Sequence, residues 1–96
     1  MKGYCLFDNV KVNDVEKLEE YKRKAGPLVE KYGGKYIILG GNFTNVEGEW
    51  DMTFPVMIEF PSYEKAREWY NSEEYKEVKD IRLSAVESKG LILEGM

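Results

Sequence analysis

Three patterns in the sequence predict an α+β fold with the element order β-α-β-β-α-β. Stretches rich in β-branched and aromatic residues alternate with stretches whose apolar residues recur at helical spacing. Double glycines and Pro-Ser or Asn-Ser pairs separate these stretches, as turn and cap residues do. The length of 96 residues is typical of one domain. We therefore expect residues 1–96 to form a single domain.

The chain begins with a predicted strand and helix. Residues 3–12, GYCLFDNVKV, are apolar at both alternating sets of early positions, which predicts a strand covered on both faces. Asp14 suits an N-cap, and apolar residues then recur at helical spacing as far as Tyr32. Gly26-Pro27 predicts a kink or the start of a final turn. Gly33-Gly34 predicts the helix end, with a positive φ.

The middle of the chain predicts two strands joined by a hairpin connection. Residues 35–43 form the second predicted strand, in which Gly40-Gly41 indicates a bulge or a close approach to the backbone. Residues 45–53 form the connection, with a turn at Glu47-Gly48. Residues 54–60 form the third strand, and a proline near its start is tolerated because no ladder N–H is needed there.

The last third predicts two helical segments and a closing strand. Ser62 caps a helix whose buried face includes Trp69 and Tyr70. Asn71 suits a left-handed C-cap, and Ser72 caps a further segment that has acidic residues in its first turn, where the helix dipole favours them. Residues 90–95 predict the final strand.

This order predicts a ferredoxin-like plait, a four-stranded antiparallel sheet with helices on one face. One copy would leave the other face open, carrying either Cys5 and Phe7 or Tyr4 and Leu6. Because a large apolar sheet face is not stable in water, we expect a homodimer formed by sheet-to-sheet packing. Phe7 and Trp50, the latter in the hairpin loop, are predicted at that interface.

Composition excludes several classes of function. The net charge is −4 with both signs interspersed, so nucleic-acid binding is not expected, and no apolar run is long enough to cross a membrane. The chain has no histidine and one cysteine, which leaves only oxygen ligands, so we expect neither a metal nor another cofactor. The single Cys5 and the absence of a signal-peptide pattern in residues 1–12 favour a cytoplasmic location.

Polar residues near the ends of apolar strands are candidates for acid-base chemistry. We expect the first and third strands to be adjacent and parallel, which would place Asp8 or Asn9 beside Glu59. A half-buried carboxylate there would have a raised pKa and act as a general base, which makes Glu59 and Asp8 the catalytic candidates. The alternative is a strand-end carboxylate that is paired with a lysine or arginine, or solvated.

A second group of residues predicts a ligand cleft between helices and sheet. Arg82 lies two helical turns after Tyr75 on the same helix face, and its guanidinium is suited to a carboxylate ligand. It is equally suited to a structural partner. Trp69 and Tyr70 fit either the core or an aromatic cleft wall. The predicted ligand-binding set is therefore Arg82, Tyr70, Trp69, Tyr75 and Asn9.

Short motifs recur in a characteristic order along nearly the whole chain. Double glycines flank the second strand, followed by Glu-Gly-x-Trp, Glu-Phe-Pro-Ser, Ala-x-x-Trp-Tyr, Ser-x-x-Tyr, an arginine and a final Glu-Gly. They comprise Gly33-Gly34, Gly40-Gly41, Glu47, Gly48, Trp50, Glu59 to Ser62, Ala66, Trp69, Tyr70, Ser72, Tyr75, Arg82, Glu94 and Gly95. The pattern resembles the domain-of-unknown-function 1330 family. The resemblance implies the dimeric α+β barrel superfamily, whose sheets pack face to face.

The resemblance implies no particular activity. Family members often carry a histidine before the first Gly-Gly and an arginine before the second, where this chain has Tyr32 and Leu39. Functions that depend on those two side chains are therefore not transferred. Our leading hypothesis is a homodimer that binds a small organic ligand. Any catalysis would be cofactor-independent, with Glu59 or Asp8 accepting a proton and Arg82 and Tyr70 positioning the ligand. The alternative is a non-enzymatic structural or regulatory dimer without a ligand site.

Overall fold

The computed structural model describes residues 1–96 and confirms the predicted α+β fold and element order. The second helical region forms two helices, as its Asn-Ser pair predicts. The elements are β1 (Gly3–Val12), α1 (Val15–Lys31), β2 (Lys35–Leu39), β3 (Pro55–Phe60), α2 (Tyr63–Tyr70), α3 (Glu73–Ala85) and β4 (Val86–Glu94).

The four strands form one antiparallel sheet in the order β2-β3-β1-β4. The expectation that the first and third strands run parallel is wrong, since Tyr4 pairs with Glu59 and Asp8 pairs with Pro55. The connection through α1 makes β1 and β2 run in the same direction, and β3 is inserted between them in the opposite direction. As a result Asp8 and Glu59 lie toward opposite ends of the β1–β3 pair.

Helix α1 begins and ends where the sequence predicts, but Pro27 does not interrupt it. The Asp14 side chain accepts a hydrogen bond of 3.1 Å from the Lys17 backbone N–H, and Gly33 ends the helix region with a φ of 81°. Pro27 is exposed, and so is Arg23, whose backbone carbonyl loses its helical partner. Water can therefore replace the missing helical hydrogen bond.

Three other local predictions are corrected. β2 ends at Leu39, and residues 40–54 form an irregular loop rather than a longer strand and a hairpin. Gly40 has a φ of 72°, and a Cβ there would lie 2.6 Å from the Phe54 ring. Asn71 has a φ of −98° and is not left-handed, whereas Ser72 does cap α3 through a 3.1 Å bond from Tyr75 N. β4 begins at Val86, directly after α3.

The two faces of the sheet differ in burial. The helix-covered face holds the core, in which the Trp69 ring lies 4.2 Å from the Tyr75 ring and 5.3 Å from the Phe60 ring, centroid to centroid. Phe7 packs edge-on against Trp69 and is only 7% exposed. Its predicted place at the dimer interface is therefore corrected, because alternation along β1 turns it toward the helices.

The open face carries the other alternating set of β1, including Tyr4 and Leu6, which settles the choice left open by the sequence. Strands β2 and β4 also carry exposed apolar side chains on this face, among them Ile38 of β2 and Leu91 and Leu93 of β4. None of the helices combines the length and the apolar character needed to cross a membrane.

Candidate functional site

A cavity of about 440 Å³ lies between α1 and the helix-covered face of the sheet. Leu18 and Tyr21 of α1 form one wall, and Val56 and Ile58 of β3 form the opposite wall. Arg82 of α3 closes one end. Eight of the twelve lining residues are hydrophobic, two are cationic and none is acidic. The cleft is thus an apolar chamber with a few polar groups, the usual character of a small-molecule site.

Arg82 is a buried charge without a carboxylate partner. Arg82 is only 5% exposed, and none of the ion pairs in the structure includes it. Its Nη1 donates a 3.1 Å hydrogen bond to Ser88 Oγ, and its guanidinium carbon lies 4.7 Å from the Phe7 ring centroid. A hydroxyl and an aromatic face orient the guanidinium but leave its charge unneutralised.

Phenol groups stand beside Arg82. The hydroxyl oxygens of Tyr21 and Tyr75 are 2.8 Å apart, so one of them donates to the other. Burial raises the pKa of Tyr21, of Tyr36 and of Tyr75 above the ordinary value for tyrosine. These phenols therefore stay protonated at neutral pH, and they act as neutral hydrogen-bond donors and acceptors.

Two buried polar atoms lack a hydrogen-bond partner, Oδ1 of Asn9 and Nε1 of Trp69. Asn9 lines the cleft and is paired across β1 and β4 with Ser88, whose hydroxyl accepts the hydrogen bond from Arg82. Trp69 is completely buried in the core and lines no cavity of appreciable size. Neither atom is accessible to solvent, but Asn9 belongs to the wall of the cleft, whereas Trp69 lies inside the core.

The structure brings together only part of the predicted ligand-binding set. Arg82 and Asn9 line the cleft, whereas Tyr75 does not line it and contacts one of its walls through the hydrogen bond with Tyr21. Tyr70 instead lines a smaller cavity of about 210 Å³ that also borders Arg82, beside β4. Its role in the main cleft is corrected, as is that of Trp69, because both aromatic rings pack into the corner between α2 and α3.

Glu59, predicted as a general base, lies on the open face. Its carboxylate is 2.9 Å from Lys2 Nζ and 3.8 Å from Lys35 Nζ. The hydrogen bond from Lys2 holds the pKa of Glu59 below its ordinary value. The prediction of a proton acceptor inside the cleft is therefore corrected: the carboxylate faces away from the helices, and its lysine partners keep it ionised.

Asp8, the other predicted base, anchors the loop of residues 40–54. Its Oδ1 accepts hydrogen bonds from Thr53 N at 3.0 Å and from Phe54 N at 2.7 Å, and its Oδ2 lies 3.1 Å from Thr53 N. The residue is 6% exposed and lines the open side of the sheet. Asp8 is thus saturated by backbone donors, and its predicted catalytic role in the cleft is corrected.

Sequence reasoning missed the main walls of the cleft. Leu18, Tyr21, Tyr36 and Phe54 were unassigned because single apolar residues on α1, β2 and the loop carry no distinctive motif. Gly26 gave a usable signal, since a glycine inside a helix is costly without a packing reason. It lines the cleft, and a Cβ there would meet nothing within 4 Å.

Trp50 lies in the loop of residues 40–54 and is 65% exposed. With Leu6, Met52 and Pro55 it borders a shallow cavity of about 560 Å³ on the open side of the sheet. Its predicted role at an interface between two copies remains a prediction. No group of three or more histidine, cysteine or acidic side chains lies close enough together to hold a metal ion.

Comparison with solved structures identifies similar folds. A protein of unknown function from Rhodopseudomonas palustris is 23% identical with a TM-score of 0.75, covering 99% of this chain and 82% of that chain. A hypothetical Arabidopsis thaliana protein is 17% identical with a TM-score of 0.65, covering 99% and 88%. A Nitrosomonas europaea protein, provisionally named an antibiotic biosynthesis monooxygenase, is 15% identical with a TM-score of 0.52, covering 99% and 89%. At these identities the likeness concerns the fold.

Among curated proteins, none matches the sequence at a significant level. The model of the family described as "Domain of unknown function (DUF1330)" matches residues 2–96, which is nearly the whole chain. The ferredoxin-like fold of the solved relatives agrees with that match. The protein is therefore a member of the DUF1330 family.

Proposed function

We propose that this protein binds a small organic ligand in the cleft between α1 and the sheet, as a homodimer whose open sheet faces pack together. The observation that carries the ligand-binding role is the cavity of about 440 Å³, with apolar walls and a few convergent polar groups. Its size lies in the range of roughly 300–1,000 Å³ typical of small-molecule sites.

Gly26 adds support for the ligand-binding role. A glycine in a helix interior costs about 0.5–1 kcal/mol relative to alanine. At this position a side chain would point into open space, because nothing lies within 4 Å of the point that a Cβ would occupy. The helix therefore carries a destabilising residue where a side chain would take up room in the cleft.

We propose binding rather than proton transfer as the task of this cleft. No carboxylate lines it, and burial keeps the phenols of Tyr21 and Tyr36 protonated by raising their pKa. The two carboxylates that were candidate bases lie on the other side of the sheet with their partners. A ligand in the cleft thus meets donors and apolar surface but no general base.

A ligand-observed NMR screen of small aromatic and aliphatic compounds, including matched acids and amides, tests the proposal. We expect hits that compete with one another and that bind markedly more weakly to Gly26→Leu, whose side chain takes up part of the cleft. Gly26→Ala is the matched control, because its single methyl group leaves most of the volume free. Absence of any hit with the wild-type protein, or hits that survive Gly26→Leu unchanged, would contradict a site in this cleft.

The dimer proposal is supported by apolar side chains on the open face. Leu91 and Leu93 of the edge strand β4 are 48% and 44% exposed, and Ile38 of the opposite edge strand β2 and Trp50 of the loop are exposed as well. In aqueous solution, a sheet face with this many exposed apolar side chains is typically covered by another protein surface. The dimeric barrel architecture implied by the family resemblance has the same face covered by a second sheet.

Size-exclusion chromatography with light scattering tests the dimer. Leu91→Glu places a charge on the open face and should yield monomers, whereas Leu83→Glu is a matched control on α3, where the leucine is 50% exposed. A monomeric wild-type protein would contradict the proposal. A dimer without any cleft ligand would instead favour the structural or regulatory alternative.

We also propose a cytoplasmic location, supported by the single buried Cys5, which forms no disulfide.

A further inference from the structure

We infer that the ligand of the cleft is a small organic carboxylate with an apolar body, whose charge is neutralised by Arg82. The inference rests on the proposed ligand-binding function and adds the chemical class of the ligand. It is carried by three features of the cleft: the balance of charge, the available hydrogen-bond donors, and one unpaired acceptor.

The charge balance of the cleft favours an anion. Arg82 and Lys22 are the charged residues among those that line it, although the whole chain has a net charge of −4. Arg82 is buried and has no acidic partner, and a buried charge is costly unless an opposite charge accompanies it. Lys22, on the exposed side of α1, lies 3.3 Å from a carboxylate oxygen of Glu19, so the unneutralised charge of the cleft is that of Arg82.

The donors at the Arg82 end match the lone pairs of a carboxylate. Ser88 Oγ accepts a hydrogen bond from one N–H of Nη1, and the guanidinium also interacts with the Tyr75 hydroxyl. Because a guanidinium has five N–H donors, others remain for a ligand. Of the two hydroxyl protons in the Tyr21–Tyr75 pair, the hydrogen bond between the oxygens uses one. A planar guanidinium beside neutral phenol donors is the kind of arrangement that binds carboxylates through charge-assisted hydrogen bonds.

A structural role alone does not account for this arrangement. The hydrogen bond to Ser88 and the cation–π contact with the Phe7 ring offset only part of the cost of burying a charge. Elsewhere in the protein the buried Asp8 is saturated by backbone donors, and Glu59 has two lysine partners. Arg82 is thus the buried charge that the chain itself leaves without an ionic or saturating partner.

The unpaired Oδ1 of Asn9 narrows the ligand further. Asn9 lies opposite Ser88 in the β1–β4 register, so its acceptor is close to the residue that orients Arg82. The oxygen is not accessible to solvent in the ligand-free protein, so a ligand hydroxyl beside the carboxylate would donate to it after the Asn9 side chain turns toward the cleft. A 2-hydroxy acid with an aromatic or branched apolar body fits both requirements.

Matched probes in the screen test the class directly. Phenylacetate and phenylacetamide have nearly the same shape and differ in charge, and mandelate adds a hydroxyl beside the carboxylate. We expect acids to bind about tenfold more tightly than their amides, and mandelate more tightly than phenylacetate. Arg82→Met should remove the preference for acids, and Arg82→Lys should keep part of it. Dissociation constants from calorimetry or NMR titration supply the readout.

The outcomes separate this inference from the proposed function. Hits in the cleft that bind equally well as acids and amides, or an acid preference unchanged in Arg82→Met, would overturn the carboxylate assignment and leave the ligand site standing. Absence of any hit sensitive to Gly26→Leu would overturn both. The comparison of acids with amides in the wild-type protein needs no variant, so it decides the question even if Arg82→Met does not fold.

Discussion

The two faces of the sheet differ in whether their charged and polar side chains have partners within the protein. On the open face, Glu59 has two lysine partners, and Asp8 accepts hydrogen bonds from two backbone N–H groups. On the helix-covered face, Arg82 lacks a carboxylate and Asn9 has an unpaired oxygen. The carboxylates that look catalytic in the sequence are the satisfied ones. The groups without such partners belong to residues that line the apolar cleft.

Two adjacent residues of β1 show this difference. Asp8 and Asn9 are neighbours in the sequence, yet alternation of side chains turns the first to the open face and the second into the cleft. The backbone loop of residues 40–54 returns over the open side and supplies donors to Asp8. No backbone segment donates hydrogen bonds to a side chain in this way on the helix side, because backbone N–H groups inside helices are bonded within the helix.

The largest effect that we expect concerns the core on the helix-covered face. Trp69→Ala should lower the free energy of unfolding by about 3–5 kcal/mol, because it leaves a cavity where a completely buried ring packs. Urea unfolding at several protein concentrations is the measurement. Trp50→Ala is the matched control: its ring is exposed, so any loss should depend on concentration, as expected for a dimer contact. Equal, concentration-independent losses would contradict the difference between the faces.

The second effect concerns the buried carboxylate of the open face. Asp8→Ala should cost about 2 kcal/mol, because two backbone N–H groups lose a charged acceptor. Asp51→Ala, in the same loop but exposed, should change stability by less than about 0.5 kcal/mol. Urea unfolding compares the two variants, and hydrogen exchange should show faster exchange at Thr53 and Phe54 only in Asp8→Ala. An Asp8→Ala protein as stable as wild type would refute the anchoring role.

Arg82 should behave differently from Asp8 in the absence of a ligand. Arg82→Met removes a buried charge and keeps most of the side-chain volume, so the free energy of unfolding should change by less than about 1 kcal/mol in either direction. Lost contacts with Ser88 and Phe7 offset part of the gain. Thermal and urea unfolding of the ligand-free protein are the measurements. A loss as large as that of Asp8→Ala would identify Arg82 as a structural residue and remove the contrast.

The smallest effect concerns Glu59, and it depends on pH. Its hydrogen bond from Lys2 holds the pKa below the ordinary value of 4.5. A carboxyl with a lowered folded-state pKa contributes stability that is present above its unfolded-state pKa and is lost as pH falls through the folded-state pKa. The stability difference between wild type and Glu59→Gln should therefore be constant at neutral pH and shrink below pH 4.5. Urea unfolding across this range would contradict the pairing if the difference did not vary.

The two candidate carboxylates show where prediction from sequence stopped. Both were recognised as polar residues in apolar strands, but their partners come from distant parts of the chain: Lys2 and Lys35 for Glu59, and the loop near Thr53 for Asp8. The supposed proximity of the two carboxylates failed because strand direction depends on which strand is inserted between which others. No local pattern of residues carries that information.

The sequence by itself determined the order of elements, the caps at Asp14 and Ser72, and the family. These depend on local backbone preferences and on motifs that are read along the chain. Only the tertiary structure decided which face of β1 is covered, that Asn9 and Arg82 meet at one cleft, and that Gly26 borders it. The physical reason is that a cavity and an unpaired charge are defined by what does not pack against them, which requires the positions of all the surrounding elements.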